Sequence, residues 1–467
     1  MQNTLAYQLL RTFTKQDIRE ARKWLTSPYH NQREDLPLLF EQLVAAAPEG
    51  LPLSREQAWQ ALHSGQPYDD QQLRLVLSYL YRCLEDFLQQ REAEQAPWLQ
   101  QHLLLAAYRK RGLDGHFQKA YRKLHKQHKE ETQRPPEYHL ARYWLEQERY
   151  QEESTLGRTR EHNLQELEDQ LTCAFLSMKL RQGCFLLAHE AVYKASYRIA
   201  LEEALLELAA QPPYLVVPSV AVYYHCYRML RFPEEDSYFA SFQNRLFQSI
   251  GLFPQAELRD LFLLAINFCI RKINQTVDGY LREALELYKK GLETEVLMEN
   301  GALSRFTYNN AIGIALRLQE FDWAERFLHH YRPYLEAGQE EAAFSLNAAR
   351  LAFARRQYGQ VLAHLQRADY RDLINNMVAK TLQMKAYYEL EEFDLLEAHL
   401  RSMRAFLRRK RHIGYHQQNY LNIIGYTQKL LALNPLDKEA VKALEEAIRN
   451  AEPLTEKEWL LSKVGRV

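Results

Sequence analysis

The chain has 467 residues, and its 60 Lys and Arg are balanced by 60 Asp and Glu, so no global field draws it toward phosphate backbones or anionic lipid. With only 16 Gly and 16 Pro it lacks the turn chemistry of a many-stranded β protein, while Leu, Ala, Gln, Glu and Arg are abundant and favour helix. An all-α chain follows, long enough for about three ordinary domains or for one array that grows by stacking.

Residues 1–92 read as an N-terminal helical module. Thr14-Lys15-Gln16-Asp17 and Ser54-Arg55-Glu56-Gln57 have the pattern of capping boxes, in which a hydroxyl takes an orphan N–H and the later side chain reaches back. Ser27-Pro28-Tyr29-His30-Asn31 and Pro48-Glu49-Gly50-Leu51-Pro52 break the chain between helices. Pro67-Tyr68-Asp69-Asp70 caps a long helix whose apolar stripe includes Leu73, Leu77, Leu80, Leu84 and Leu88. A helix-turn-helix would need Ser54 to Leu62 to join the helix from Asp70 through a turn of about 3 to 4 residues. The join is longer, and only Arg74 and Arg82 are basic where a recognition helix would meet DNA.

Residues 93–300 read as an irregular array of helical pairs. Breaks fall at Arg111-Gly112-Leu113-Asp114, Arg134-Pro135-Pro136, Pro212-Pro213, Pro218, Phe232-Pro233 and Phe253-Pro254, because the residue before a proline is pushed out of the α region. From about Asn163 to Leu208 the one internal breaker is Gly183. Glu234-Glu235-Asp236 suits the electronegative first turn of a helix. Lys119, Arg122, Lys123, Lys126 and Lys129 share one helical face, opposite Phe117, Tyr121 and Leu124. A second basic stripe, further on, holds Arg401, Arg404, Arg408 and Arg411 with Arg409 and Lys410. Each stripe is expected to be the solvated back of a buried helix, and phosphate contact is the alternative.

Candidate chemistry is sparse. Cys83, Cys173, Cys184, Cys226 and Cys269 are scattered and odd in number, which suits reduced thiols in the cytoplasm rather than a disulfide framework. His189-Glu190-Ala191-Val192-Tyr193 starts like a zincin helix but lacks the second histidine. His125 with His128, and His412 with His416, have helical spacing without a neighbouring thiol or acid, so no metal and no cofactor are expected. No G-x-S-x-G, phosphate-cradling glycine loop or CxxC pair occurs. The first residues lack a basic n-region and no apolar run of about 18 residues follows, so neither signal peptide nor membrane span is expected.

Residues 301–467 carry a repeat. Polar turns at Gln319-Glu320-Phe321-Asp322, Arg356-Gln357-Tyr358-Gly359 and Glu391-Glu392-Phe393-Asp394 each place an aromatic between two helical segments. From Phe321 to Tyr358 is 37 residues and from Tyr358 to Phe393 is 35, near the ~34-residue period of tetratricopeptide helix pairs. Leu328, Leu365 and Leu400 stand seven residues after each aromatic. At these turns the chain resembles tetratricopeptide repeats. The family's small residue three positions after the aromatic is kept as Ala324 but replaced by Val361 and Leu396, and the one nine positions before it is kept as Ala349 but replaced by Ile312 and Met384. More broadly the chain resembles an uncharacterised family of long helical bacterial proteins, on Leu25-Thr26-Ser27-Pro28-Tyr29-His30-Asn31, Pro67 to Arg74, Asn267-Phe268-Cys269-Ile270, Glu320-Phe321-Asp322-Trp323-Ala324 and Glu458-Trp459-Leu460.

The first resemblance implies an α-solenoid of antiparallel helix pairs, with the first helix of each pair lining a concave face. Asn310, Asn347 and Leu382 stand eleven residues before the aromatics, and Gly313, Arg350 and Lys385 stand eight before. Tetratricopeptide proteins that clamp peptide carboxylates use Asn, Lys and Arg there, since charge-assisted hydrogen bonds are directional and strong. Asn310, Asn347, Arg350 and Lys385 are therefore expected to share one surface with their polar ends open to solvent. The expected function is a non-enzymatic cytoplasmic scaffold or adaptor that binds a protein or peptide segment on the concave face, with an acidic partner one option. The alternative is a nucleic-acid-associated regulator using the basic stripes and the N-terminal module. A terminal helix around Trp459 is expected to cap the array's last apolar face.

Overall fold

The computed structural model describes residues 1–46, 53–155, 162–193, 195–367, 372–409 and 415–464. The break expected at 48–52, and Lys410, Arg411 and His412, lie outside the described residues, as does the side chain of His416. Helix follows helix as composition requires: α1 (Leu5–Leu10), α2 (Lys15–Thr26), α3 (Asp35–Ala46), α4 (Arg55–Leu62), α5 (Asp70–Glu94), α6 (Pro97–Lys110), α7 (Asp114–Glu130), α8 (Pro136–Thr155), α9 (Leu164–Val192), α10 (Glu202–Ala209), α11 (Pro212–Leu215) and α12 (Pro218–Arg231). Then come α13 (Asp236–Gln248), α14 (Gln255–Asn274), α15 (Tyr280–Glu293), α16 (Arg305–Arg317), α17 (Phe321–Tyr331), α18 (Glu340–Ala354), α19 (Tyr358–Leu365), α20 (Leu373–Glu389), α21 (Phe393–Arg409), α22 (Tyr415–Leu431), α23 (Lys438–Asn450) and α24 (Lys457–Val464). Among the described residues the strands are two dipeptides, β1 (Met298–Glu299) and β2 (Ala302–Leu303), paired across Asn300 and Gly301, both at positive φ. The fold is all-α. No described helix is long and apolar enough to cross a membrane.

Two compact units form, Met1–Leu176 and Ser177–Val467, and the division falls inside α9. In the first unit, α1 to α5 close on a core that includes Leu25, Leu39, Phe40, Leu73, Leu80 and Leu84. Both capping boxes are formed: Thr14 N–H donates to Asp17 Oδ2 at 2.9 Å while Asp17 N–H donates to Thr14 Oγ1 at 3.1 Å, and Ser54 and Gln57 exchange bonds at 2.9 and 3.1 Å. The 63–69 join is pinned by Trp59, whose Nε1–H donates to Pro67 O at 2.9 Å. The helices α6, α7 and α8 share a second apolar cluster of Leu105, Phe117, Tyr121, Leu124 and Leu145.

In the second unit, α9 continues straight through Gly183 instead of breaking there. A Cβ at that position would overlap the Tyr227 ring of α12, so the glycine is a notch that lets two helices approach closely. The pairs α16/α17, α18/α19 and α20/α21 pack within themselves, and α18 packs on both α16 and α20. Their turns share one backbone device. Gln319, Arg356 and Glu391, each two residues before the aromatic, lie at φ +60°. The following N–H then bonds back five residues, Glu320 to Ala315 O at 2.9 Å, Gln357 to Ala352 O at 2.8 Å and Glu392 to Tyr387 O at 3.0 Å. These are Schellman caps built on residues other than glycine. The six positions that correspond to the family's small residues, Ala324, Val361, Leu396, Ile312, Ala349 and Met384, are fully buried. The terminal α24 packs on α22 and α23, buries Leu460 and Val464 in the same cluster as Leu400, Ile423 and Ile448, and sends Trp459 Nε1–H to Glu389 Oε1 at 2.9 Å.

A cationic cavity across three stacked helices

Within the Ser177–Val467 unit a cavity of about 640 Å³ opens where α16, α18 and α20 meet α22 and the segment before α24. Counting back from the three turn aromatics locates its walls. The helix α16 contributes Leu316 and Arg317, five and four residues before its aromatic. The helix α18 contributes Phe353 and Ala354 at those same two places and Arg350 at eight before. From α20 come Ile374, Val378, Thr381, Leu382 and Lys385. Successive helices therefore enter the cavity progressively nearer their N-termini.

That drift decides the fate of the four candidate residues. Arg350 and Lys385 line the cavity together. Asn310 does not line it; it sits on the part of α16 that the diagonal has already left, exposed and beside the Tyr288 hydroxyl. Asn347 is fully buried rather than open to solvent. Its Nδ2 donates to Asn309 Oδ1 at 2.6 Å and to Ala343 O at 2.8 Å, tying α18 to α16. Its Oδ1 accepts from Arg350 Nη1 at 3.2 Å, so its role toward the cavity is to orient the guanidinium.

Nor is the end of Lys385 open. Its side chain is 14% exposed, and Nζ lies 2.8 Å from Glu456 Oε2 and 4.7 Å from the Phe353 ring centroid. Arg350 differs, because among the described residues its hydrogen bond to Asn347 is its one polar partner and no carboxylate lies within ion-pair distance. Burial pushes its pKa down, opposed by the charge of Glu456. A partly buried cation facing a cavity without a carboxylate at ion-pair distance is costly for a folded protein. Tyr420 completes the polar wall. Burial and the Glu456 charge push its pKa up, and its hydroxyl has no hydrogen-bond partner among the described residues. Asn419 and Thr455, also in the lining, satisfy each other: Thr455 N–H donates to Asn419 Oδ1 at 2.8 Å and Asn419 Nδ2 to Thr455 Oγ1 at 3.1 Å. Arg317 lines the cavity exposed and unpaired among the described residues.

Arg317, Tyr420 and Glu456 were not legible as site residues. Arg317 and Ala354 share a repeat position but not a chemistry, and Tyr420 and Glu456 come from outside the repeat altogether. Only the equivalence of Arg350 and Lys385 gave a signal.

A second polar concentration lies in the Met1–Leu176 unit. The helix α8 turns His139, Arg142, Glu146, Glu148 and Glu152 inward. Glu146 accepts from the Tyr121 hydroxyl at 3.0 and 3.1 Å and from Asn163 Nδ2 at 2.8 Å, and His125 Nδ1 lies 3.4 Å away. A buried carboxylate held this way cross-links α7, α8 and the start of α9. His125 thus faces Glu146, while His128 packs edge-on to the Tyr138 ring. Among the described residues no three His, Cys, Asp or Glu side chains are arranged to hold a metal ion. The first basic stripe, Lys119, Arg122, Lys123, Lys126 and Lys129, is exposed throughout. In the second, Arg404 donates to Gln428 at 2.7 Å and Arg401 approaches Glu397 at 3.5 Å. All five cysteines are buried, and none forms a disulfide among the described residues. Compared with protein-family models, curated proteins and solved structures, the chain matches none.

Proposed function

We propose that this chain is a non-enzymatic scaffold of the cytoplasm whose helix pairs stack as a tetratricopeptide-like α-solenoid and whose cavity at Arg350 and Lys385 receives an acidic segment of a partner protein. The observation that carries the reading is Arg350, a guanidinium facing the cavity that, among the described residues, has an amide partner but no carboxylate at ion-pair distance. An acidic side chain entering there supplies the missing counter-ion and the charge-assisted hydrogen bonds that go with it. The apolar walls at Leu316, Phe353, Val378 and Leu382 offer the rest of a peptide something to bury against. Stacked pairs support the same reading, because a repeat array presents successive helices as one continuous surface.

The test is fluorescence anisotropy with two labelled peptide mixtures of matched length, one rich in Asp and Glu and one rich in Lys and Arg. The acidic mixture should bind, and Arg350→Gln with Lys385→Gln should weaken it about tenfold or more, since removing a partner from a desolvated charge pair costs 2 kcal/mol or more. Equal binding of both mixtures, or no effect of the double substitution, defeats the reading. The uninterrupted exposure of the α7 stripe favours a second reading, association with nucleic acid. Oligo(dT) binding that falls steeply with salt and is lost in Arg122→Gln with Lys126→Gln would establish it in place of the first.

A further inference from the structure

The charge inventory of the cavity points to a narrower ligand class than an acidic segment, resting on the reading of this cavity as an anion site. Its lining holds three cations, Arg317, Arg350 and Lys385, against one carboxylate, Glu456. Glu456 is already committed to Lys385 at 2.8 Å. Two guanidinium groups remain, one exposed and one partly buried, and among the described residues neither has a carboxylate at ion-pair distance and the hydroxyl of Tyr420 beside them has no hydrogen-bond partner. A single carboxylate entering this space has two acceptor oxygens and one charge, so it leaves a cation uncompensated. A phosphate monoester carries close to two negative charges at neutral pH and three acceptor oxygens, and a guanidinium fork is matched to them geometrically.

We propose that the cavity takes a phosphate monoester carried on an apolar or aromatic stem, with Arg317, Arg350 and the Tyr420 hydroxyl donating to its oxygens and Leu316, Phe353, Val378 and Leu382 covering the stem. Glu456 sets the charge of the site. By holding Lys385 it keeps the excess at two, which suits a dianion, and it occupies the position that an anion would otherwise take at the lysine. The segment that carries it is itself anchored, through the Asn419 and Thr455 pair and through Asn422 Nδ2, which donates to Pro453 O at 2.9 Å. The cavity volume, about 640 Å³, is in the range of small-ligand sites.

Calorimetry on the full chain with phenyl phosphate, benzoate and benzyl alcohol tests the class directly. Phenyl phosphate should bind about tenfold or more tighter than benzoate, because charge-assisted bonds to a second charge are each worth that much, and benzyl alcohol should not bind. Arg350→Gln and Arg317→Gln should each weaken phenyl phosphate by a similar factor; Arg317 is exposed and unpaired among the described residues, so its replacement leaves the fold intact. Glu456→Gln should tighten phenyl phosphate several-fold. A phosphotyrosine peptide with alanine flanks separates the sources: affinity equal to or above that of phenyl phosphate indicates a phosphorylated polypeptide, and weaker affinity indicates a small phosphate ester. Benzoate binding as tightly as phenyl phosphate, with both dependent on Arg350, overturns the phosphate inference and leaves the anion site standing. Binding of neither anion overturns both, and binding indifferent to Arg350 and Arg317 places the ligand elsewhere and overturns the proposal.

Discussion

A hydrogen atom in place of a side chain at residue 183 sets the distance between α9 and α12. Helix propensity favours alanine there by about 1 kcal/mol, yet a Cβ would overlap ring carbons of Tyr227. That ring has nowhere to retreat, being fully buried with its hydroxyl donating to Glu202 Oε1 at 2.8 Å. Overpacking of this kind costs roughly 1 to 3 kcal/mol, so after the propensity gain Gly183→Ala should lower unfolding stability by up to about 2 kcal/mol in chemical denaturation. Tyr227→Leu in the same chain should recover part of the loss, because the two positions are in contact and their effects do not add. A more stable Gly183→Ala chain would show that the helices separate freely. Read from sequence alone, Gly183 is a breaker, since a lone glycine reports backbone freedom and is silent about a ring that arrives from residue 227. Asn347 carries the same lesson. Its place in the repeat was legible, but whether the amide faced solvent or Asn309 depended on how tightly α16 and α18 pack.

The three aromatic turns resemble one another more closely than the helices they join do. The aromatic residues and their spacing were visible in the sequence, and the buried positions around them follow directly. What stayed hidden is that Gln319, Arg356 and Glu391 adopt left-handed backbone, because this position is usually marked by glycine and here it is not. An ordinary residue in that region costs about 1 to 2 kcal/mol, part of which glycine would return to the unfolded chain, about 0.5 to 1 kcal/mol. Glu391 is exposed, so Glu391→Gly should raise stability by about 0.5 to 1 kcal/mol, while Glu391→Val should lower it by about 1 kcal/mol or more, β-branched residues tolerating this region worst. Identical melts for the two variants would contradict the cap. The reverse case occurs at Asn300-Gly301, where a strong hairpin dipeptide does form β1 and β2 but the surrounding helical composition masks it. In α8 the inward polar stripe was equally hidden, as charged residues at helical spacing normally mark the solvent face.

At the scale of the whole chain, all-helical character was legible because composition acts on every residue at once, whereas the cavity required residues from four helices and a terminal segment. Its two repeat-derived cations could be paired by counting from an aromatic; Tyr420 and Glu456 could not, since nothing local in the sequence relates residue 420 or 456 to residue 350. The terminal helix links this cavity to the stability of the unit that holds it. In α24, Leu460 and Val464 close the apolar cluster of α20 to α23, Lys463 pairs with Glu389, and Trp459 lies 5.6 Å from Lys385 Nζ. Leu460→Ala removes a fully buried side chain and should cost about 2 to 4 kcal/mol, enough to lower the melt of the Ser177–Val467 unit by several degrees. Amide exchange should quicken first in α22 and α23, where α24 packs, and the affinity of the cavity for an anion should fall with it, because Glu456 immediately precedes the helix. An unchanged melt with unchanged exchange in α22 and α23 would mean that α24 rests on the surface without closing it.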